Sequence, residues 1–147
     1  MLSAFALFAG VAIIGGWLVL TKDWRDSARF SAKPAFIRKT RIEAGRGSLP
    51  ERMRFDVEGY YFRIAYAYQV EGQTYLGKRF SAMREPFFLS EADAEAFAAL
   101  YPEESAITIR VDPENPARTL VERQLIFADK LPLYAGLAAL ALGALTF

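Results

Sequence analysis

Apolar residues dominate both ends of the chain, whereas apolar and polar residues alternate along its middle. Residues 2–20 contain no charged side chain, and 19 residues at the helical rise span about 28 Å, close to the thickness of a bilayer's hydrocarbon core. We therefore predict a transmembrane helix over residues 1–21. Residues 131–147 are also uncharged and span about 25 Å as a helix, so we predict a second transmembrane helix there.

Each apolar run also has an alternative interpretation. A cleaved signal peptide needs a basic region before the apolar run and a small-residue cleavage site after it. Here no Lys or Arg precedes residue 20, and the run ends in Leu18-Val19-Leu20-Thr21. A buried core helix fits the length of residues 131–147, but the segment lacks the polar face expected of one.

The segment between the two runs, residues 22–130, is predicted to form one soluble domain. Its clearest element is residues 60–80, in which side chains alternate with the period of two typical of a β-strand. Glu71-Gly72-Gln73 interrupts the alternation and predicts a reversal, so we expect a β-hairpin. The residues expected on its buried face are Phe62, Ile64, Tyr66, Tyr68 and Val70.

Shorter patterns predict the elements that precede the hairpin. Residues 35–43 predict a first strand, in which Ile42 and the apolar start supply buried positions. Residues 44–54 are predicted to be a loop because several residues that interrupt regular structure occur there, namely Gly45, Gly47, Ser48 and Pro50.

A helix and two strands are predicted after the hairpin. Residues 90–101 predict a helix capped by Ser90, residues 105–111 a strand, residues 112–116 a turn, and residues 117–123 a last strand. The expected fold is therefore a membrane α+β protein in which two transmembrane helices flank a small, mostly antiparallel β domain with one helix. The face of the helix expected to pack on the sheet comprises Ala94, Phe97, Leu100 and Tyr101.

Two motifs in the predicted domain resemble those of a protein family. The hairpin carries Tyr-x-Tyr-x-Val-x-Gly-x-x-Tyr-x-Gly, and the helix is followed by Tyr-Pro, an alternating strand and a Pro-x-x-Pro turn. The residues that carry them are Tyr66, Tyr68, Val70, Gly72, Tyr75 and Gly77, followed by Tyr101, Pro102, Ile107, Ile109, Pro113 and Pro116. With these motifs the chain resembles the DUF3592 family of small membrane proteins. The resemblance implies this architecture and, since the family has no established activity, no catalytic residue.

Basic residues are concentrated directly after the first apolar run. Residues 22–46 carry eight Lys and Arg residues against three acidic ones, and positively charged flanks stay in the cytoplasm. We therefore predict that residues 22–130 lie in the cytosol, that both chain ends lie outside, and that the membrane is a bacterial inner membrane. A basic linker that faces anionic lipid is expected to comprise Lys22, Arg25, Arg29 and Lys33.

The chain contains no histidine and no cysteine, which excludes several classes of chemistry. Catalysis by Ser-His-Asp or Cys-His groups, the usual structural zinc sites, and the common ligands of haem and iron–sulfur clusters depend on these residues. Residues 44–48 lack the spacing of a phosphate-binding loop. A net charge of +1 without an RNA-binding motif does not indicate nucleic acid. We therefore predict no cofactor, no nucleic-acid partner and no evident small-molecule substrate.

Acidic residues are concentrated between residues 85 and 114, where eight carboxylates occur with a single cation, Arg110. The helix dipole and turn chemistry favour carboxylates at most of these positions. One hypothesis is a divalent-metal-dependent hydrolase that uses the carboxylates of residues 103–114. Another is a surface for a protein partner, comprising Glu91, Asp93, Glu95, Glu103 and Glu104.

Small residues recur at helical spacing in both apolar runs, which lets helices approach each other closely. We expect the two membrane helices to pack together, and oligomerisation through these faces is a further hypothesis. The residues expected there are Ala9, Ala12, Gly16, Ala135, Ala139 and Gly143.

Taken with the missing catalytic groups, this organisation favours a non-enzymatic integral membrane protein. Its expected role is a binding or assembly module, accessory to a larger membrane complex or self-assembling as a homo-oligomer, with membrane lipid and a protein as partners. The alternatives are the metal-dependent hydrolase and an immunity-type membrane protein that neutralises a toxin.

Overall fold

An antiparallel β-sheet with helices makes up residues 2–125 and 127–145, the part of the chain that the computed structural model describes. The outer ends of the two predicted membrane helices, residue 1 and residues 146–147, lie outside that part, as does residue 126. The strand order is β3-β2-β1-β5-β6, with β4 beside β3 on the edge of β2, which confirms the predicted α+β architecture. The elements are α1 (Leu2–Leu20), α2 (Lys22–Asp26), β1 (Ser31–Leu49), β2 (Arg54–Val70), β3 (Gln73–Gly77), β4 (Phe87–Phe88), α3 (Glu91–Ala98), β5 (Ala106–Val111), β6 (Thr119–Leu120) and α4 (Phe127–Leu145).

A long hairpin of β1 and β2 replaces the loop predicted over residues 44–54, so that prediction is wrong. Most of those residues belong to the two strands, and the chain reverses in a short 3₁₀ turn, Pro50–Arg52. The glycines stay in the strands because aromatic side chains cover them. An added Cβ at Gly47 would lie 2.7 Å from both the Phe87 ring and the Tyr61 hydroxyl.

One extra residue, Arg38, interrupts the pairing of β1 with β2. Ile37 lies opposite Tyr66 whereas Lys39 lies opposite Ala65, so Arg38 forms a β-bulge. The side chains that face the core therefore fall on odd positions before the bulge and on even positions after it. They are Ala35 and Ile37 before it, and Thr40 and Ile42 after it.

The hairpin predicted over residues 60–80 is confirmed for β2 and β3. Glu71 and Gly72 form its two-residue turn, with φ values of 51° and 77°. Positive φ at both positions is what a type I′ turn requires. The return strand ends at Gly77, three residues earlier than predicted, and the chain leaves the edge of β2 so that Phe80 enters the core at 2% exposure.

Helix α3 covers the core face of the sheet. It begins after Ser90, whose Oγ accepts a hydrogen bond from the backbone N–H of Asp93 at 3.2 Å, as the sequence predicts. The helix ends at Ala98, so Leu100 does not join the packed face as predicted and is 70% exposed. The aromatic cluster between helix and sheet comprises Phe62, Phe80, Phe88, Phe97 and Tyr101.

The last strands partly follow prediction. Strand β5 matches the alternation of residues 105–111, and its Ile109 and Val111 are buried. The strand predicted over residues 117–123 contracts to the two residues of β6, because the chain returns from the turn to pair only with the end of β5. Strand β4, equally short, has no counterpart among the predicted elements.

The long helices α1 and α4 pack against each other in antiparallel directions. Glycines on both helices allow the close approach, since an added Cβ at each would meet a side chain of the other helix. These contacts join Gly10 to Leu140 (2.7 Å), Gly136 to Ile14 (2.5 Å) and Gly143 to Leu7 (2.8 Å).

Within the described residues, no single helix is long and apolar enough to qualify as a membrane span. Ala4–Leu20 and Lys22–Arg29, bent by 58° relative to each other, qualify by length and composition as a pair.

Candidate functional site

The face of the sheet opposite α3 carries a row of charged side chains. Arg63 donates from Nε to Oε2 of Glu43 at 3.0 Å, and Nη2 of Arg41 lies 2.5 Å from Oε1 of the same carboxylate. The Arg63 guanidinium also lies 4.7 Å from the centre of the Tyr61 ring, within cation–π range. Glu43 therefore holds two arginines side by side on this face.

The segment between β3 and β4, residues 78–86, contributes the other wall of the site. Arg79 holds the segment in place through three acceptors: Oδ2 of Asp23 at 3.1 Å, the Ser81 carbonyl at 3.0 Å and the Ala82 carbonyl at 2.6 Å. We term residues 78–86 the strap. Since Asp23 belongs to α2, the strap is joined to the short helix that follows the first long helix.

The strap is joined to the last helix as well. Arg84 donates from Nε to Oδ1 of Asp129 in the first turn of α4, at 2.9 Å, and the Asp129 side chain is buried. The backbone carbonyl of Asp129 in turn accepts a hydrogen bond from Nε1 of Trp17 at 2.6 Å. The strap thus contacts α2, which follows α1, and the first turn of α4.

Strap and sheet border an open groove of about 520 Å³, a volume within the range of small-molecule sites. We term it the basic groove. Of the charged residues that line it, five are cations and one is a carboxyl group, so its potential favours an anion. They are Lys39, Arg41, Arg63, Lys78, Arg79 and Glu85.

The cations of the groove differ in how far they are neutralised. Arg41 and Arg63 share Glu43, and Arg79 pairs with Asp23. Within the described residues, no carboxylate forms an ion pair with either Lys39 or Lys78, and both lysines are exposed. The two lysines therefore supply two uncompensated positive charges, and one more remains because Arg41 and Arg63 share the single carboxylate of Glu43.

Glu85 is the acidic residue that lines the groove. Its Oε1 accepts a hydrogen bond from the backbone N–H of Phe80 at 3.3 Å, whereas its Oε2 is buried and has no hydrogen-bond partner in the described part of the chain. Loss of hydration raises the pKa of Glu85, against the opposite effects of that hydrogen bond and of the Arg63 and Arg79 charges. Burial thus favours the neutral form of this carboxyl group.

The predicted basic linker is part of the fold. Arg29 pairs with Glu114 at 3.4 Å, Arg25 donates to the carbonyl of Leu18 at the end of α1, Lys33 lies in β1, and Lys22 is exposed. Around them, Asp23 also accepts from Arg118 at 3.4 Å, and Arg118 pairs with buried Asp112 at 3.0 Å. Ion pairs therefore hold the segment after α1 against the sheet.

The predicted partner surface divides into two parts. Glu91, Asp93 and Glu95 are exposed on α3. Glu103 accepts a hydrogen bond from the backbone N–H of Thr40 at 2.9 Å, and Glu104 lies 3.9 Å from Arg38. The last two carboxylates therefore contact the bulged region of β1.

The carboxylates of residues 103–114 do not converge on one point. Besides Glu103 and Glu104, Asp112 bonds Arg118 and the backbone N–H of Glu114, and Glu114 bonds Arg29. Across residues 2–125 and 127–145, no three acidic groups are arranged to hold a metal ion.

The small residues expected between the helices are only partly in the contact. Gly143 is buried against Leu7, and Ala9 and Ala139 are half-buried. Ala12, Gly16 and Ala135 are exposed, and nothing lies within 4 Å of a Cβ added at Gly16. The contact of α1 with α4 therefore uses Gly10 and Gly136, which were not among the small residues predicted to lie there.

The basic groove was not among the features predicted from the sequence. Its residues come from three separate segments, which only the pairing of β1 with β2 and the path of the strap bring together. The available signal was the alternation of Lys39, Arg41 and Glu43, which places charge at every second position of a strand.

Comparison with known proteins gives one family match. The model of a family described as a domain of unknown function, DUF3592, matches residues 38–126, which include every charged residue of the groove. No curated protein matches the chain.

Proposed function

The chain belongs to the DUF3592 family, and we propose that it is a non-enzymatic integral membrane protein whose β-domain binds a partner at the membrane surface. The paired helices α1 and α4 serve as the anchor. The domain lies in the cytosol and both chain ends lie outside.

The observation that carries this proposal is the outward face of the helix pair. Large apolar side chains stand exposed along it, and a contiguous apolar surface of this kind is normally covered by lipid or by protein. Among them are Phe5 (74%), Phe8 (82%), Val19 (75%), Leu142 (63%) and Leu145 (84%). The excess of basic residues in residues 22–46 supports the cytosolic side for the domain.

Binding or assembly is favoured over catalysis by the chemistry of the side chains. The chain lacks histidine and cysteine, and the carboxylates of its acidic segment are engaged separately with backbone or arginine partners. The exposed carboxylates of α3, namely Glu91, Asp93 and Glu95, suit a basic protein partner.

Membrane insertion and orientation are tested together by single-cysteine labelling, because the chain has no cysteine of its own. We expect the protein to stay in the membrane fraction after carbonate extraction. In intact spheroplasts, an impermeant maleimide should label Ala4→Cys and Leu145→Cys, and should label Ala99→Cys only after lysis. Release by carbonate contradicts the anchor, and the reversed labelling pattern contradicts the orientation.

The protein partner is tested by a pull-down in mild detergent. We expect a stoichiometric partner that is lost when Glu91, Asp93 and Glu95 are changed to Lys. The matched control reverses two exposed charges elsewhere in the domain, Glu58→Lys and Glu71→Lys, and should retain the partner. Equal retention by both variants contradicts a role for the acidic face of α3.

A further inference from the structure

The basic groove lies close to the helix ends that the proposed function places at the bilayer. One wall of the groove is the strap, and the strap is joined to α2 by Arg79 with Asp23 at 3.1 Å and to α4 by Arg84 with Asp129 at 2.9 Å. A group bound beside Lys78 would therefore be held on the segment that contacts α2 and the first turn of α4. That is the level at which lipid headgroups lie if the helices are inserted.

The chemistry of the groove indicates what it binds. Lys39 and Lys78 are unpaired within the described residues, whereas Glu43 holds Arg41 and Arg63 in place. Two compact ammonium groups next to two oriented guanidinium groups suit a phosphate, which accepts several charge-assisted hydrogen bonds at once.

We propose that the basic groove binds the phosphate of an anionic phospholipid headgroup, with Lys39 and Lys78 as its principal cationic contacts. The headgroup of phosphatidylglycerol fits this chemistry because its phosphate leaves it with a net negative charge, whereas the choline group of phosphatidylcholine offsets that charge. The proposal rests on the membrane anchoring proposed above. The same phosphate chemistry could be supplied by a free phosphate ion, so the experiment separates the two sources.

The test follows the melting temperature of the full-length protein in a neutral detergent during three titrations. The probes are short-chain phosphatidylglycerol, short-chain phosphatidylcholine and inorganic phosphate. We expect only phosphatidylglycerol to raise the melting temperature, because ligands that bind the native state stabilise it. Removing both lysine charges by Lys39→Gln and Lys78→Gln should weaken binding by roughly thirty-fold, at about 1 kcal/mol per cation.

Matched variants make the result specific to the groove. Arg54→Gln with Arg110→Gln removes two exposed cations outside the groove, and should leave the phosphatidylglycerol affinity unchanged. The melting temperature and far-UV circular dichroism of each variant without ligand show that it is folded.

Several results would overturn the proposal. The proposal is refuted if phosphatidylglycerol does not raise the melting temperature. It is also refuted if the two double variants lose affinity equally, because that result would indicate unspecific charge attraction. An equal shift by inorganic phosphate assigns the groove to a free anion and refutes the lipid. If the protein stays in the membrane fraction after carbonate extraction but phosphatidylglycerol does not raise its melting temperature, only this inference is refuted. If carbonate releases the protein, the proposed membrane anchoring is refuted.

Discussion

Arg84 and Asp129 form an ion pair between the strap and the first turn of α4, with Nε of Arg84 donating to Oδ1 of Asp129 at 2.9 Å. The Asp129 side chain is 3% exposed and that of Arg84 is 42% exposed. The pair therefore joins two parts of the chain that are far apart in sequence, and one of its charges is almost fully removed from water.

Replacing Arg84 should destabilise the protein because the buried carboxylate loses a charged donor. We expect Arg84→Ala to lower the free energy of unfolding by about 2 kcal/mol, the usual scale for hydrogen bonds to charged groups. Urea unfolding in detergent, followed by circular dichroism, measures the change. Arg110→Ala is the control, since Arg110 is exposed on β5. A loss as large in the control, or no coupling to Asp129→Asn in a double-mutant cycle, would contradict this role.

The glycines of β1 provide a matched pair of substitutions. A Cβ at Gly47 would lie 2.7 Å from the Phe87 ring and the Tyr61 hydroxyl, whereas a Cβ at Gly45 would lie 3.4 Å from the Tyr61 ring. We expect Gly47→Ala to destabilise by roughly 1–3 kcal/mol through overpacking, and Gly45→Ala to change stability far less. The melting temperatures of the two variants, each compared with that of the wild type, measure the two effects. Equal effects would mean that the rings move aside at Gly47.

Tyr66 should make the protein sensitive to alkali. Burial raises the pKa of Tyr66 to about 12, although its hydrogen bond with Thr119, at 2.9 Å, acts in the opposite direction. Because the folded-state pKa exceeds the ordinary value of 10.0, the unfolded chain loses this proton first as the pH rises. Stability is therefore complete below pH 10 and declines by on the order of 2 kcal/mol as the pH approaches 12.

Urea unfolding at pH 9, 10, 11 and 12 measures this decline. The variant Tyr66→Phe should be less stable at pH 9, because it loses hydrogen bonds to Thr119 and to the Arg79 carbonyl. Its stability should also fall less steeply between pH 10 and 12. If stability falls with pH as steeply in the variant as in the wild type, deprotonation of Tyr66 does not cause the loss of stability at alkaline pH.

The antiparallel contact of α1 with α4 predicts a specific cross-link. A Cβ at Gly143 lies 2.8 Å from Cγ of Leu7, so Leu7→Cys with Gly143→Cys should form an intramolecular disulfide on mild oxidation. Faster migration of the monomer on a non-reducing gel measures it. The control pairs Gly143→Cys with Ala12→Cys, which is exposed and more than one helical turn away from Leu7, and should not cross-link within the chain. Equal yields would contradict the packing.

The sequence predicts best the elements whose signals are local. The turn at Glu71-Gly72 and the cap at Ser90 depend on residues that are adjacent in the chain, and both are found where expected. The loop over residues 44–54 was predicted wrongly because the same glycines serve as packing space for Phe87, about 40 positions later in the chain. The amino-acid composition of residues 44–54 alone cannot predict that contact.

The basic groove depends on the same kind of distant information. The bulge at Arg38 decides which side chains of β1 lie on the face of Lys39, and the strap brings Lys78 and Glu85 to that face. A single-residue irregularity leaves no distinct signature in a pattern of period two, so the strand was predicted but its two faces were not. A functional surface was predicted in the acidic segment instead, because its charged residues are close together in the sequence.

The first and last segments of the β-domain meet where they leave the helices, since Nε of Arg123 donates to the carbonyl of Trp24 at 3.1 Å. In modular terms, the whole domain is an insert within a helical hairpin whose two arms already pack on each other. Changes in the parts of this insert that are remote from the helices leave the two arms side by side, because its two ends begin and finish at the same place. The hairpin and the domain are therefore free to diversify at different rates.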